Sequence, residues 1–278
     1  MTTTLTGPAP TVQRDRWGRP LIQPIQPLGA KKVGYTRATT IAKTLDDGEG
    51  LTKWKQRQTA LGIAARPDLL AAVASTSTDD KTTLSRIVDQ AMEAAGSSAA
   101  ATTGTAIHAF TERHDRGLDL GHVPDDIAPD VQAYIDVMAS SGLKVLEVEK
   151  FLVNHPNKIA GTTDRIVELD GKRYIADVKT SQSIDFHLAF AMQLSIYAHS
   201  QPYDLDTDTT GVWDQAPETN AGLIIHVPSH AGTASIHWID LKAGWAAVQL
   251  ALKVREWRKT KGILAPYIPP TNVPTQPA

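Results

Sequence analysis

Apolar and polar residues alternate most regularly over residues 161–181, GTTDRIVELDGKRYIADVKTS. The alternation predicts two short strands joined at Asp170-Gly171, because a two-residue type I′ turn needs positive φ angles that these residue types tolerate. Strand side chains alternate between the two faces of a sheet, so Asp177 and Lys179 share one face. A hairpin can bring Asp164 on the first strand next to Asp177 on the second.

Helical periodicity is found in the first hundred residues and again after the hairpin. It predicts helices over residues 35–47 and 51–61, from Pro67 onwards, and from a cap at Asp79 or Asp80. Trp54 and Leu61 should lie on the apolar side of the second helix. Later helices are predicted over residues 103–116, 129–141, 185–199 and 243–261, and later strands over residues 145–153, 222–227 and 234–241. Residues 201–220 are predicted to form an acidic, turn-rich loop.

This order of elements predicts a mixed α/β (α+β) fold, in which helices flank a central mixed sheet and a helical section precedes it. Residues 1–32 hold five prolines and predict an irregular basic arm. Residues 33–262 predict a single domain, with a helical section over residues 33–102 and the core over residues 103–262. Residues 263–278 predict a Pro-rich tail.

Composition limits the chemistry that the chain can use. It has no cysteine, which excludes a disulfide framework, a thiolate zinc site and a cysteine-ligated iron–sulfur cluster. No run reaches the ~18 apolar residues of a membrane span, and the chain start does not have the pattern of a signal peptide. These features predict a soluble, cytoplasmic protein without a membrane partner.

Charge is unevenly distributed along the chain. Residues 1–66 hold 11 Lys and Arg against 4 Asp and Glu, whereas residues 67–278 hold 17 against 26. A basic N-terminal portion can contact a polyanion such as DNA, or it can be a solvated arm. Both readings stay open at this point.

The strongest candidate chemistry lies on the hairpin. It consists of two carboxylates, Asp164 and Asp177, with Lys179 beside them. Groups of these types can bind a divalent metal and promote attack on a phosphate ester. An Asp-x-Lys pair on a strand is more often a solvated face. The apolar neighbours Ile175 and Val178 favour a strand inside the sheet instead.

Two helices offer further candidate residues. His108 and Glu112 are four positions apart on one helix face, and Gly104 permits close approach of another backbone. A lone helical histidine is more often a packed or exposed side chain than a ligand. Gln193 and Tyr197 form a similar row on the helix after the hairpin, beside a core stripe of Leu188, Met192 and Ile196.

Four segments together resemble the motifs of a known nuclease superfamily. They are Gly161-Thr-Thr-Asp164, Ile175-Ala-Asp177-Val-Lys179-Thr180, Gln193-Leu-Ser-Ile-Tyr197 and the upstream Gly104-Thr-Ala-Ile-His108. Over residues 104–200 the chain resembles the RecB-like exonuclease branch of the PD-(D/E)XK superfamily. The two acids are 13 positions apart, a spacing like that of this branch.

The resemblance implies a restriction-endonuclease-like core and a Mg²⁺- or Mn²⁺-dependent deoxyribonuclease. It implies that Asp164, Asp177 and Lys179 are catalytic, and that His108, Asp164, Asp177 and the carbonyl of Val178 ligate the metal. Gln193 and Tyr197 would orient Lys179 or touch the DNA backbone. Glu112 or Glu149 would assist a second metal ion.

Without cysteine, the chain departs from the iron–sulfur subgroup of that branch and resembles free-standing bacteriophage nucleases. The implied role is exonuclease activity in DNA recombination, replication or repair, with a recombination or single-strand-binding protein as partner. The basic last helix could contact DNA phosphates, and Trp17, Trp54 or Tyr35 could stack on bases, although core packing is the commoner role of aromatic residues.

Three alternatives remain from the sequence. The first is a structure- or end-specific DNA endonuclease. The second is a DNA-binding module without catalysis, which has no chemical need for Asp164, Asp177 and Lys179 together. The third is a histidine–aspartate phosphohydrolase built on His108, His114 and Asp115, and it predicts further His and Asp ligands on later helices.

Overall fold

The computed structural model describes residues 11–27 and 29–267, and a mixed sheet lies at its centre. In spatial order the strands are β10 (Ser235–Asp240), β9 (Ala221–His226), β6 (Lys172–Lys179), β5 (Ile159–Leu169), β4 (Lys144–Asn154), β7 (Gln201–Asp204) and β8 (Thr209–Thr210), and β3 (Thr36–Arg37) pairs with β5. The pairs β3–β5 and β6–β9 are parallel, and the others are antiparallel. This arrangement confirms the predicted mixed α/β fold.

Eight helices belong to the described part of the chain. They are α1 (Ala38–Ala42), α2 (Glu49–Ala65), α3 (Pro67–Ser75), α4 (Lys81–Ala94), α5 (Ala99–Asp115), α6 (Ala128–Ser141), α7 (His187–Ala198) and α8 (Leu241–Trp257). None of them has both the length and the apolar character of a membrane-spanning helix.

Helices cover both faces of the sheet and make two main cores. Ile166 and Ile175 pack on one face in a cluster with residues of α1, α7 and α8. Val167 and Val178 pack on the other face in a cluster with residues of α5 and α6. Side chains on both faces of β5 and β6 are therefore buried, as expected for central strands.

The predicted hairpin is present with the predicted turn. Leu169 pairs with Lys172, and the two residues between them both have positive φ, 50° at Asp170 and 74° at Gly171. Positive φ at both central positions is the signature of the type I′ turn. Two residues of local sequence thus set the register that brings Asp164 opposite the end of β6.

The N-terminal segment differs from the irregular arm that its composition predicts. Residues 1–10 lie outside the described residues. Beyond them, β1 (Leu21–Ile22) pairs with β2 (Val33–Gly34), and the side chain of Ile22 is fully buried in a cluster with Phe151 and Tyr203 of the main sheet. This buried contact with distant strands fixes the segment, despite its proline content.

The helical section has a small core of its own. Helices α2, α3 and α4 pack around Leu69, Ile87 and Ala91, and Asp80 caps α4 by accepting a hydrogen bond from the backbone of Thr83. Trp54 and Leu61 do not lie on a buried face as predicted but are exposed. The predicted boundary between residues 102 and 103 falls inside α5.

Four other local predictions differ from the structure. Residues 35–47 begin as strand β3, which pairs with β5, before the short α1. Residues 201–220 contain strands β7 and β8 at the edge of the sheet, where pairing with β4 overrides an acidic local sequence. Phe186 rather than Asp185 occupies the N-cap position of α7, and Leu188 is exposed instead of joining the core stripe.

Candidate active site

The two acids of the hairpin meet at the end of β6. The backbone N–H of Val178 donates a hydrogen bond of 2.9 Å to Oδ2 of Asp164, so the carboxylate of β5 reaches the strand that carries Asp177. Burial raises the pKa of both carboxyls. The negative charge of Asp164 raises the pKa of Asp177 further, to about 6. The structure therefore holds two carboxylates together where their charges repel, with Asp177 fully buried and the side chain of Asp164 18% exposed.

Lys179 lies against this pair. Its ammonium forms an ion pair with Oδ2 of Asp177 and lies 4.6 Å from the ring centre of Phe190. The same Oδ2 is buried, and the Lys179 ammonium is its partner among the described residues. A carboxylate oxygen has two lone pairs, so this atom has the capacity to accept a second donor or a cation.

Helix α7 supplies the predicted row of polar residues. Nε2 of Gln193 lies 3.4 Å from Oδ1 of Asp177 and 3.5 Å from the hydroxyl of Tyr197. Tyr197 is buried, and a Cβ on Gly161 would lie 2.9 Å from its hydroxyl oxygen. The glycine of the Gly-x-x-Asp segment therefore makes room for the tyrosine of α7.

Helix α5 brings His108 to the same place. Its Nδ1 lies 3.8 Å from Oδ2 of Asp164, and burial lowers its pKa, which favours the neutral imidazole that ligates metals. Gly104 does permit close approach, because a Cβ there would lie 2.6 Å from Oγ1 of Thr180. The neighbour is a side chain rather than the backbone that the sequence predicts.

A buried ionic network, which sequence reasoning missed, holds α5 on the sheet. Nε of Arg165 donates a hydrogen bond of 2.5 Å to Oδ2 of Asp115, and the hydroxyl of Tyr134 donates one of 2.6 Å to the same oxygen. Arg165 also donates to the carbonyl of Asp164 and to Thr111. The network links β5, α5 and α6 directly beside the candidate site.

The same network bears on the phosphohydrolase alternative. Asp115 uses its carboxylate to pair with Arg165, and its other oxygen lies 3.1 Å from Nδ1 of His114. A carboxylate held by a buried arginine and by Tyr134 is a poor metal ligand. The contacts therefore disfavour a site built on His114 and Asp115.

Glu112 and Glu149 line a cleft of about 800 Å³ together with Arg116 and Lys150. Glu149 has a φ of 54° inside β4, a strained value for a residue other than glycine in a strand. Burial and the charges of Asp164 and Glu112 raise its pKa to about 8. The charge of Glu112 also raises the pKa of Asp164, and a role of either glutamate in binding a second metal ion stays a prediction.

The donor atoms suit a hard divalent cation. Carboxylate oxygens are the ligands that Mg²⁺ and Mn²⁺ prefer, and Asp177 offers the incompletely partnered Oδ2 described above. Within residues 11–27 and 29–267, however, no three His, Asp or Glu side chains are already arranged to hold a metal ion. Chemistry and charge fit a metal, while the Lys179 ammonium now occupies the position beside Asp177.

Val178 contributes its N–H to Asp164, and ligation by its carbonyl stays a prediction. Of the aromatic residues considered for base stacking, Tyr35 is buried and bonds to His155 through its hydroxyl. Trp17 and Trp54 are exposed, and the guanidinium of Arg16 lies 4.1 Å from the ring centre of Trp17. Of these three aromatic residues, Tyr35 therefore has the core-packing role, and the two tryptophans do not.

Comparisons with known proteins do not indicate a function for this chain. No family model matches the chain, and no curated protein matches it either. Among solved structures, the crystal structure of SSO0001 is similar with a TM-score of 0.27 and 17% identity, over 56% of this chain and 72% of that chain. A TM-score this low carries no argument about function.

Replacing Gly161 with alanine should displace Tyr197 and destabilise the protein. The new Cβ would lie 2.9 Å and 3.0 Å from two atoms of the buried phenol ring, and overpacking of this kind costs about 1–3 kcal/mol. Urea denaturation measures the loss. Gly50→Ala in α2 is the control, because a Cβ at Gly50 meets open space and should stabilise the helix slightly. Equal stability of the two variants would contradict the proposed contact.

Glu149 should make the protein less stable as the pH rises. Its pKa in the folded protein, about 8, lies above the ordinary value of 4.5. Its contribution to stability is therefore complete below pH 4.5 and is lost as the pH rises through 8. The charged groups that act on it are Asp164, Glu112, Arg165 and Arg116.

Glu149→Gln should remove this loss. The difference in the free energy of unfolding between the variant and the wild type should increase in favour of the variant by at least about 1 kcal/mol from pH 5 to pH 8.5. Urea denaturation without added metal measures this difference. Glu147→Gln is the control, since Glu147 lies on the same strand with its carboxylate beside Lys150. A pH-independent difference for Glu149→Gln would show that its carboxylate is not buried among negative charges.

Proposed function

We propose that this protein is a metal-dependent DNA exonuclease of the PD-(D/E)XK type. The observation that carries the proposal is the meeting of Asp164, Asp177 and Lys179 at one largely buried place, with His108 3.8 Å from Asp164. Two carboxylates from neighbouring strands and a lysine are the groups needed to bind a divalent cation and cleave a phosphodiester. The four sequence segments of the RecB-like pattern supply the side chains that converge here.

Asp164, Asp177 and His108 would hold Mg²⁺ or Mn²⁺, which when bound polarises a phosphate oxygen and lowers the pKa of a coordinated water. Lys179 positions the attacking water by hydrogen bonding and offsets negative charge that develops on the phosphate. Gln193 holds Asp177 in orientation from α7. Burial of these groups strengthens each electrostatic interaction, because the surroundings screen charge less than water does.

Cleavage of linear and circular DNA by the full chain tests this function. End-labelled linear duplex should be degraded with Mg²⁺ or Mn²⁺, and closed circular duplex should stay intact. Lys179→Met should abolish the activity. Lys172→Met, which removes an exposed lysine at the start of the same strand, should leave it unchanged.

Each other outcome has a definite meaning. Cutting of the circle would establish the endonuclease alternative instead. Absence of metal-dependent cleavage of duplex, single-stranded and flap DNA would overturn the proposal and favour a binding module. The label released first from the linear substrate reports the polarity of degradation.

A further inference from the structure

The row of α7 residues that reaches the candidate site continues beyond it. Tyr197, Gln193 and Phe190 are spaced by four and three positions, so they lie along one face of the helix. Phe186 is four positions before Phe190, and its carbonyl accepts a hydrogen bond from the backbone N–H of Phe190. Gln193 approaches Asp177, and the ring of Phe190 lies beside the ammonium of Lys179. One turn further toward the start of α7, the next member of the row is Phe186.

Phe186 lies at the protein surface. It occupies the N-cap position of α7, and 61% of its surface is exposed. Leu188 is also exposed, to 74%, but two positions along a helix correspond to about 200° of rotation. Phe186 therefore lies at the start of α7, one turn from Phe190, whereas Leu188 lies on the opposite side of the helix from Phe190.

We propose that Phe186 stacks on an unpaired base next to the scissile phosphate, so that the substrate is a single strand or a frayed DNA end. This inference rests on the function proposed above. Phe190 already lies beside the Lys179 ammonium, and Phe186 is the next ring of the row, with a face open to solvent. Aromatic side chains bind bases by stacking without reading their sequence. Bases inside a duplex are already stacked, so only a base taken out of the duplex can use this ring.

Binding without cleavage tests the stacking directly. The full chain is titrated, without added metal, into single-stranded oligonucleotides that carry 2-aminopurine at successive positions near one end. Phe186→Ala should weaken binding on the order of 10-fold and remove the fluorescence change at one position. Phe186→Trp should restore both, and Leu188→Ala should behave like the wild type.

A matched abasic oligonucleotide separates stacking from a structural effect. Removing the base at that position should weaken binding of the wild type by about the same factor as Phe186→Ala weakens binding of the intact strand. The affinity of the Phe186→Ala variant should be the same for the abasic and the intact strand. The proposal would be overturned if Phe186→Ala and Leu188→Ala bound the intact strand equally well. It would also be overturned if Phe186→Ala weakened binding of the abasic strand, relative to the wild type, as much as it weakened binding of the intact strand.

The two proposals can fail separately. Metal-dependent cleavage by the wild type together with unchanged binding by Phe186→Ala would disprove the stacking and leave the nuclease function intact. Base-dependent binding without any cleavage would disprove the nuclease function and retain Phe186 as a base contact. A preference for fully paired ends over single strands in the same titration would also contradict the role given to Phe186.

Discussion

Asp177→Asn should lower the rate of DNA cleavage by at least ~10²–10³, the scale expected when one electrostatic stabiliser is removed. The amide keeps the shape of the side chain but removes one of the two neighbouring carboxylates and the partner of Lys179. It also removes the charge that repels Asp164. Initial rates on end-labelled linear duplex at saturating Mg²⁺ measure the loss.

The matched control is Asp170→Asn, the same chemical change at the exposed turn of the same hairpin. Asparagine tolerates the positive φ of that position, so cleavage should continue at the wild-type rate. Thermal melting of both variants separates lost chemistry from lost folding. Near-normal cleavage by a folded Asp177→Asn variant would refute the proposed mechanism.

Arg165→Met should destabilise the protein by about 3–5 kcal/mol, because removing one partner of a buried ion pair leaves the other charge uncompensated. Asp115 would keep the hydroxyl of Tyr134 but lose its cation. The side chain of Arg165 is fully buried, so water cannot replace it without rearrangement of α5 and β5. Urea denaturation at pH 7 measures the change in the free energy of unfolding.

Arg173→Met on the neighbouring strand is the control for this prediction. Arg173 has 19% of its side chain exposed and pairs with Asp214, whose side chain is 77% exposed. A pair with one solvated partner should contribute less than a fully buried pair, on the order of 1 kcal/mol. The double variant Arg165→Met, Asp115→Leu should recover part of the lost stability, since it leaves no buried charge. A cost for Arg165→Met no larger than for Arg173→Met would show that the network does not hold α5.

Much of the site could be predicted because its pattern is local. The Asp170-Gly171 turn and the alternation on either side set which residues of the hairpin share a face, and helical spacing sets the row of Gln193 and Tyr197 on α7. These rules act over a few residues, so they need no knowledge of the fold. The assignment of a nuclease function to that pattern stays a proposal.

Other features depend on contacts between distant parts of the chain. Burial of Ile22 depends on strands more than a hundred residues away, and β7 forms because β4 offers an edge. Local composition in both segments favours irregular structure. Propensity is therefore a weak guide where long-range pairing supplies the backbone hydrogen bonds.

The sequence by itself determined the hairpin, its turn and the spacing that places Asp164, Asp177 and Lys179 near one another. Only the tertiary structure decided that Arg165 is buried against Asp115 and that Phe186 is exposed. Arginine is usually a surface residue and phenylalanine is often buried. Both positions depart from these preferences, because burial depends on which elements meet in space.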